Sequence, residues 1–194
     1  MMFGQFNHYL RITISSILPI AGIIYGAIRW QSIATFAQTG LKLTESDRAS
    51  TQSLGPVKIG MTIPAANTAA KLQFVQMGSG SGSQCQYYQP GKQIKGIVLM
   101  VTNGVISRVD ITNPRIKTLS GIKVGDTEQQ VTNIYGSKIK VKQHHYNSKG
   151  HYLIYVPQEP QAQKHQIVFE TDGQRVVNWR FGKVEEVNWI EGCS

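Results

Sequence analysis

Cys85 and Cys193 are the only thiols in the chain, and such a pair can do nucleophilic or redox work or form a structural bond. A reactive thiol needs a polarising neighbour. Neither CQYY (Cys85 to Tyr88) nor EGCS (Glu191 to Ser194) shows one. An isolated pair in an exported chain instead predicts a single disulfide. Closing a loop of about 109 residues would stabilise the fold by roughly 4–5 kcal/mol in the chain-entropy model. His144, His145 and His151 are candidate metal ligands by type. Adjacent strand residues point to opposite faces, so His144 and His145 chelate poorly together, and no Cys or carboxylate follows at ligand spacing. Surface or hairpin histidines and no metal are expected. The chain has no Gly-x-Ser-x-Gly elbow, and GSGSGS (Gly78 to Ser83) lacks the lysine and following helix of a phosphate loop. No catalytic residue and no cofactor are expected, which argues against an enzyme.

Residue types suited to binding are better represented. Lys138, Lys140 and Lys142 alternate, so on a strand they project from one face, and Lys149 extends the cluster. Two readings compete: a solubilising face, or a patch for anionic envelope surfaces such as lipid headgroups or acidic polymers. Nucleic acid is a third, which an exported protein seldom meets. Tyr87, Tyr88, Tyr152, Tyr155 and Trp189 form a candidate aromatic sheet face, since aromatics dominate binding hot spots. Core packing is the competing role for each of them. Glu185-Glu186 reads as a solvated strand face, and Asp126 and Glu128 read as partners of a helix N-terminus.

The elements that must position these residues follow from the pattern of the 194-residue chain. It is 41% hydrophobic and 16% charged, which excludes wholesale disorder, and two cysteines exclude a disulfide-dense scaffold. Ile12 to Ile28 carries no charge between Arg11 and Arg29, and Trp30 extends its apolar reach close to a bilayer span. Residues 1–30 are thus a signal or an uncleaved transmembrane anchor, the anchor being favoured because the stretch exceeds a usual signal core. No Cys near its end would take a lipid. Residues 31–53 read as a flexible linker, polar and without an apolar period from residue 38. The body from residue 54 holds sixteen basic and nine acidic residues, +7 of the total +9.

That body contains an internal match. VKIGMT (Val57 to Thr62) parallels IKVGDT (Ile122 to Thr127), and Val98 to Ile111 parallels Ile167 to Phe181, with Gly104 opposite Gly173. Two αβ repeats are expected, residues 54–118 and 119–194. In each, a Thr N-cap (Thr62, Thr127) starts a short helix, with a capping box at Thr127 to Gln130. Pro64 suits the first turn of one helix and Gly136 stops the other. Ala66, Ala70 and Phe74 form one helical stripe; Val131, Ile134 and Tyr135 form the second. Asn103-Gly104 and Asp172-Gly173 signal hairpins. Ser107, Val109 and Ile111, and likewise Val177, Trp179 and Phe181, should pack on the helices. A last strand is expected over Val184 to Ile190. The fold class is α+β: a tandem repeat of helix plus antiparallel β-meander forming one concave sheet, behind the N-terminal apolar helix.

GPVKIGMT followed by a short helix and hairpins resembles the SmpA/OmlA-type outer-membrane assembly lipoproteins. Two such units in one chain resemble the β-lactamase-inhibitor-protein fold, whose tandem repeats form one concave sheet. The chain is also similar to uncharacterised bacterial envelope proteins through CQYY, SGIKVGDTEQQV (Ser120 to Val131), GHYL (Gly150 to Leu153), FETDG (Phe169 to Gly173) and EGCS. Cysteine usage and the N-terminal export segment favour an extracytoplasmic body, held at the membrane by that segment, or periplasmic or secreted if it is cleaved. The expected function is a monomeric, non-enzymatic binding module with an envelope protein or glycan as partner. Inhibition of a secreted enzyme is the alternative, and an unrecognised hydrolase ranks below it.

Overall fold

The computed structural model describes residues 42–78, 84–160 and 162–193. The expected apolar helix (1–30), the first part of the linker and most of GSGSGS lie outside the described residues. Among the described residues, no helix is long and apolar enough to cross a membrane.

The chain is α+β. Strands β1 (Arg48–Ala49), β2 (Ser53–Leu54) and β3 (Val57–Lys58) lead into helix α1 (Ile63–Ala70). A meander follows: β4 (Val75–Met77), β5 (Cys85–Gln89), β6 (Ile97–Thr102) and β7 (Val105–Ile111). After β8 (Lys117–Thr118) and helix α2 (Glu128–Tyr135) comes a second meander. It comprises β9 (Ile139–Gln143), β10 (His151–Tyr155), β11 (His165–Thr171) and β12 (Val176–Lys183), and helix α3 (Val184–Val187) then begins a tail. The two meanders join through their last strands into one eight-stranded sheet, β4-β5-β6-β7-β12-β11-β10-β9. Every neighbour in that sheet is antiparallel. A smaller sheet, β3-β2-β1-β8, contains one parallel pair, β1 with β8.

Both long helices begin where their caps dictate. Thr62 accepts from the Ala65 amide, and Thr127 and Gln130 form the reciprocal capping box. Pro64 occupies the first turn of α1, where its missing N–H costs little. The loops before the two helices attach to the sheet identically. The Gly60 N–H donates to the Ile106 carbonyl at 2.7 Å and the Ile106 N–H returns to Met61 at 2.8 Å. The Gly125 N–H donates to Val176 at 2.8 Å and the Val176 N–H returns to Asp126 at 2.9 Å. Gly60 and Gly125 both sit near φ +90°, a conformation that favours glycine.

One sheet face carries the main core. Leu99, Val109, Ile111, Leu153, Phe169, Trp179 and Phe181 pack there with Ala66 and Ala70 of α1, and Val131 and Tyr135 of α2. A β-bulge interrupts each hairpin next to its turn, at Met100/Val101 and at Glu170/Thr171. Each bulge adds a residue on the return strand, so Ile106 and Val176 reach the core instead of the expected Ser107 and Val177. Val177 is left exposed. Phe74 is buried but lies beyond the end of α1, and Ile134 is half exposed.

Two further expectations are corrected. The linker does not extend to residue 53: Leu43 and Ala49 are fully buried, the Leu43 N–H bonds Ala70 at 3.0 Å, and β1 pairs with both β2 and β8. Nor is Val184 to Ile190 a strand. Its first residues form α3, and the buried Arg108 and Arg180 of the sheet donate to carbonyls at and beyond its end.

Candidate binding surface on the outer face of the sheet

Strand alternation sends a second set of side chains to the face opposite the main core. Lys140 and Lys142 of β9 lie opposite Ile154 and Tyr152 of β10, which in turn lie opposite Val168 and Glu170 of β11. Continuing across the sheet, Arg180 stands opposite Val168 and beside Asp110, while Arg108 pairs in register with Met100. Tyr87 lies opposite Met100. This outer face is therefore charged at its centre, where β7 meets β12.

The two arginines are nearly buried, with side chains 8% and 6% exposed, and each has its own carboxylate. Arg108 forks onto Asp110 at 2.7 Å; Arg180 reaches Glu170 at 3.1 Å. Their remaining N–H groups hold the tail. Arg108 Nη1 donates to the Glu186 carbonyl at 3.1 Å and to Trp189 at 2.8 Å, and Arg180 Nε donates to Val187 at 2.7 Å. Glu186, also buried, accepts from the Thr102 hydroxyl at 2.8 Å. Burial and the neighbouring Arg108 charge lower the Arg180 pKa, opposed by Asp110 and Glu170.

Glu170 ties this clamp to the second meander. Burial acts to raise its carboxyl pKa, but hydrogen bonds from His144 and the charge of Arg180 outweigh it and hold it below the ordinary carboxylate range. His144 Nδ1 accepts from the Tyr146 and Asn147 amides at 3.0 and 3.1 Å, so Nε2 carries the proton donated to Glu170 at 3.0 Å. The His144 ring stacks on Tyr152 at 4.6 Å, and Arg180 lies 5.5 Å from the centre of the same tyrosine ring. Burial and the Glu170 charge raise the Tyr152 pKa.

Past α3 the tail crosses the first meander. The Cys193 N–H donates to the Tyr87 hydroxyl at 3.0 Å, and Cys193 is bonded to Cys85. A groove of about 310 Å³ is left open beside the tail, on the second meander. Tyr152, Ile154 and Val168 are its floor, Lys140 and Lys142 its strand-edge wall, and Asn188 and Ile190 its tail wall. A shallower cleft lined by His145 and Trp189 adjoins it through Asn188 and Ile190.

The expected aromatic face is divided. Tyr87 and Tyr152 lie on the outer face, whereas Tyr88 and Tyr155 pack against the main core, Tyr155 with its ring 4.6 Å from Tyr135. Consecutive strand residues cannot share a face, so Tyr87 and Tyr88 had to separate. Trp189 sits half-buried in the tail rather than on a strand. Of the lysines, only Lys140 and Lys142 line the groove; Lys138 ends a single 3₁₀ turn, and Lys149 is in the β9–β10 loop. His144 and His145 lie in that loop, beyond the end of β9. Carboxylates do reach two histidines: Glu170 binds His144, and Glu128 binds His151 Nδ1 at 2.9 Å. Arg108, Asp110, Glu170 and Arg180 escaped the sequence reading, and Glu186, expected on a solvated strand face, is instead buried in α3. The signal was present, since Arg108 and Asp110 are two apart on a strand that alternates with Val109 and Ile111.

No protein-family model matches the chain, and no curated protein matches it. Among solved structures, the uncharacterised protein yfeY from Escherichia coli matches with a TM-score of 0.46 and 15% identity, over 70% of this chain and 99% of its own.

Proposed function

We propose that this protein is a non-enzymatic, extracytoplasmic binding module, tethered at the cell envelope by its N-terminal segment, whose partner contacts the outer side of the second meander. The observation that carries the reading is the unequal cover of the outer face. The tail runs from α3, which packs on β11 and β12, to its bond with β5, and beside it the second meander leaves a groove rimmed by Lys140 and Lys142 over the nearly buried Tyr152, Ile154 and Val168. The disulfide suits an oxidising compartment. The arrangement as two copies of one αβ unit is part of the proposal, and three features support it: the matched Gly60 and Gly125 attachments, the matched bulges, and the β7–β12 register. In that register Asp110 opposes Arg180, Val109 opposes Phe181 and Ile111 opposes Trp179. A local two-fold through the first pair therefore relates the two bulged residues, Ser107 and Val177. The likeness to envelope proteins with tandem SmpA/OmlA-like repeats belongs to the same reading.

The experiment is capture from an envelope fraction with the oxidised full chain, beside Lys140→Glu/Lys142→Glu. Specific recovery of a protein or glycan, lost in the charge-reversed variant, is the expected result. Recovery of nothing specific by the wild-type chain, or equal recovery by both chains, overturns the proposal.

A further inference from the structure

We propose that β9 is a strand-addition site for an extended acidic segment of the partner protein; this rests on the binding-module reading above. Among the described residues, strand β9 is an edge of the eight-stranded sheet and pairs only with β10. Two flanking bonds fix which of its backbone groups remain free. The Val156 N–H donates to Lys138 at 3.1 Å and the His144 N–H donates to Gly150 at 3.0 Å. Antiparallel ladders alternate, so Lys140 and Lys142 bond inward to β10 while Ile139, Val141 and Gln143 direct their backbone groups outward. The Ile139 N–H is taken by Gly136. Among the described residues, no hydrogen bond reaches the outward N–H and C=O of Val141 or Gln143.

The side chains on this edge select what can pair with it. Lys140 and Lys142 stand on the outer face, at the rim of the groove, and Val141 stands on the other face, 57% exposed. A second copy of β9 would bring lysines against lysines, which disfavours self-pairing. An added strand reading acid–apolar–acid puts a carboxylate opposite each lysine and an apolar side chain opposite Val141. Alternate residues of any extended chain repeat every ~7 Å, so the two charge pairs come into register together. Main-chain bonds supply affinity in this mode and the alternate side chains supply specificity. The opposite edge, β4, is three residues long, and its Val75 and Met77 offer no charge to select a partner.

The test uses the oxidised full chain in non-ionic detergent, with the blocked peptide Thr-Glu-Val-Glu-Thr as probe and amide exchange as readout. The expected result is slowed exchange at Val141 and Gln143. Lys140→Glu/Lys142→Glu should weaken this peptide by about tenfold and take up Thr-Lys-Val-Lys-Thr instead. Val141→Pro should bind neither peptide yet keep the β9–β10 ladder, because the N–H it removes points away from β10. The inference is overturned by protection elsewhere than β9, by equal affinity for both peptides, by no binding to the wild-type chain, or by undiminished binding to Val141→Pro. It is also overturned if phosphatidylglycerol vesicles bind the wild type and Val141→Pro alike while the peptide does not bind. Envelope capture that survives Val141→Pro overturns strand addition and leaves the binding module standing; capture that fails with the wild type overturns the module itself.

Discussion

The two meanders share a pattern and differ in what covers them. In the first, the outer face is shut by the protein's own tail: Arg108 grips the Glu186 and Trp189 carbonyls, Tyr87 grips Cys193, and Cys85 is bonded to it. In the second, α3 packs on β11 and β12, and Val187 joins Tyr152, Ile154 and Val168 in one apolar cluster. Beyond Val187 the cover ends and the lysines of β9 begin. The difference shows that the sheet does not need both outer faces covered. An antiparallel sheet needs one buried face, and the main core on the helix side provides it. What the tail adds on the other side is a covalent and hydrogen-bonded hold on the first meander and an apolar contact through Val187 on the second, and the stretch beside β9 that it leaves uncovered is available for binding.

If the bonded end of the cover is local to the first meander, releasing it must damage the two halves unequally. Replacing both cysteines, Cys85→Ser/Cys193→Ser, should cost about 4 kcal/mol, because the bond closes most of the body into one loop. Urea unfolding measures the loss. Hydrogen exchange should locate the local part, with protection in the tail and β5 falling by more than the global drop that β9 to β11 share. Loss spread evenly over both meanders would break the comparison. Arg108→Met comes next, at about 3 kcal/mol, since it strands Asp110 and two tail carbonyls on a nearly buried face. The residue at the matching place after the second bulge is Asn178, and Asn178→Ala should cost under about 1 kcal/mol by the same measurement.

These contrasts depend on features of unequal visibility in the sequence. Local chemistry was legible. Thr62 and Thr127 cap their helices, and Asn103 and Gly104 both take positive φ in the β6–β7 turn, as their residue types require. The cysteine pair followed from counting and compartment. What escaped depends on partners distant in the chain. Leu43 and Ala49 are isolated apolar residues in a polar stretch: Ala49 lies in β1, which pairs with β8 some seventy residues later, and the Leu43 N–H bonds Ala70 at the end of α1. The bulges at Ser107 and Val177 shift the alternation by one, which no period-two reading anticipates. The outer-face clamp needs Arg108 and Arg180 brought together by the β7–β12 junction, and the expected last strand, whose carbonyls they bind, is α3 and a tail. The five candidate aromatics failed as one face for a simpler reason, since adjacent tyrosines must alternate.

Acid should sharpen the comparison from the other side. Glu170 has its pKa held below the ordinary range, so its contribution is full above the unfolded value, about 4.3, and is lost as pH falls through the lower folded value. Protonation there breaks the links from Glu170 to His144 and Arg180, which belong to the second meander and its junction. Glu170→Gln should cost roughly 1–3 kcal/mol at neutral pH and flatten the acid limb of the stability curve. An unchanged acid limb in that variant would remove Glu170 from the account.

The smallest expected effect is the most discriminating. Lys140→Ala/Lys142→Ala should leave stability within about 0.5 kcal/mol of wild type, since both side chains are exposed on an edge strand and neither makes an ion pair among the described residues. Lysine stems, however, can shelter apolar surface, and Tyr152 and Ile154 beneath them are only 6% and 5% exposed. A loss above about 1 kcal/mol would mean that the second meander closes its outer face with its own lysines, as the first does with the tail. The two halves would then differ in the device and not in the outcome, and the groove would be a seam of the fold. No loss, together with lost partner capture, would mean that these lysines serve a partner and not the fold.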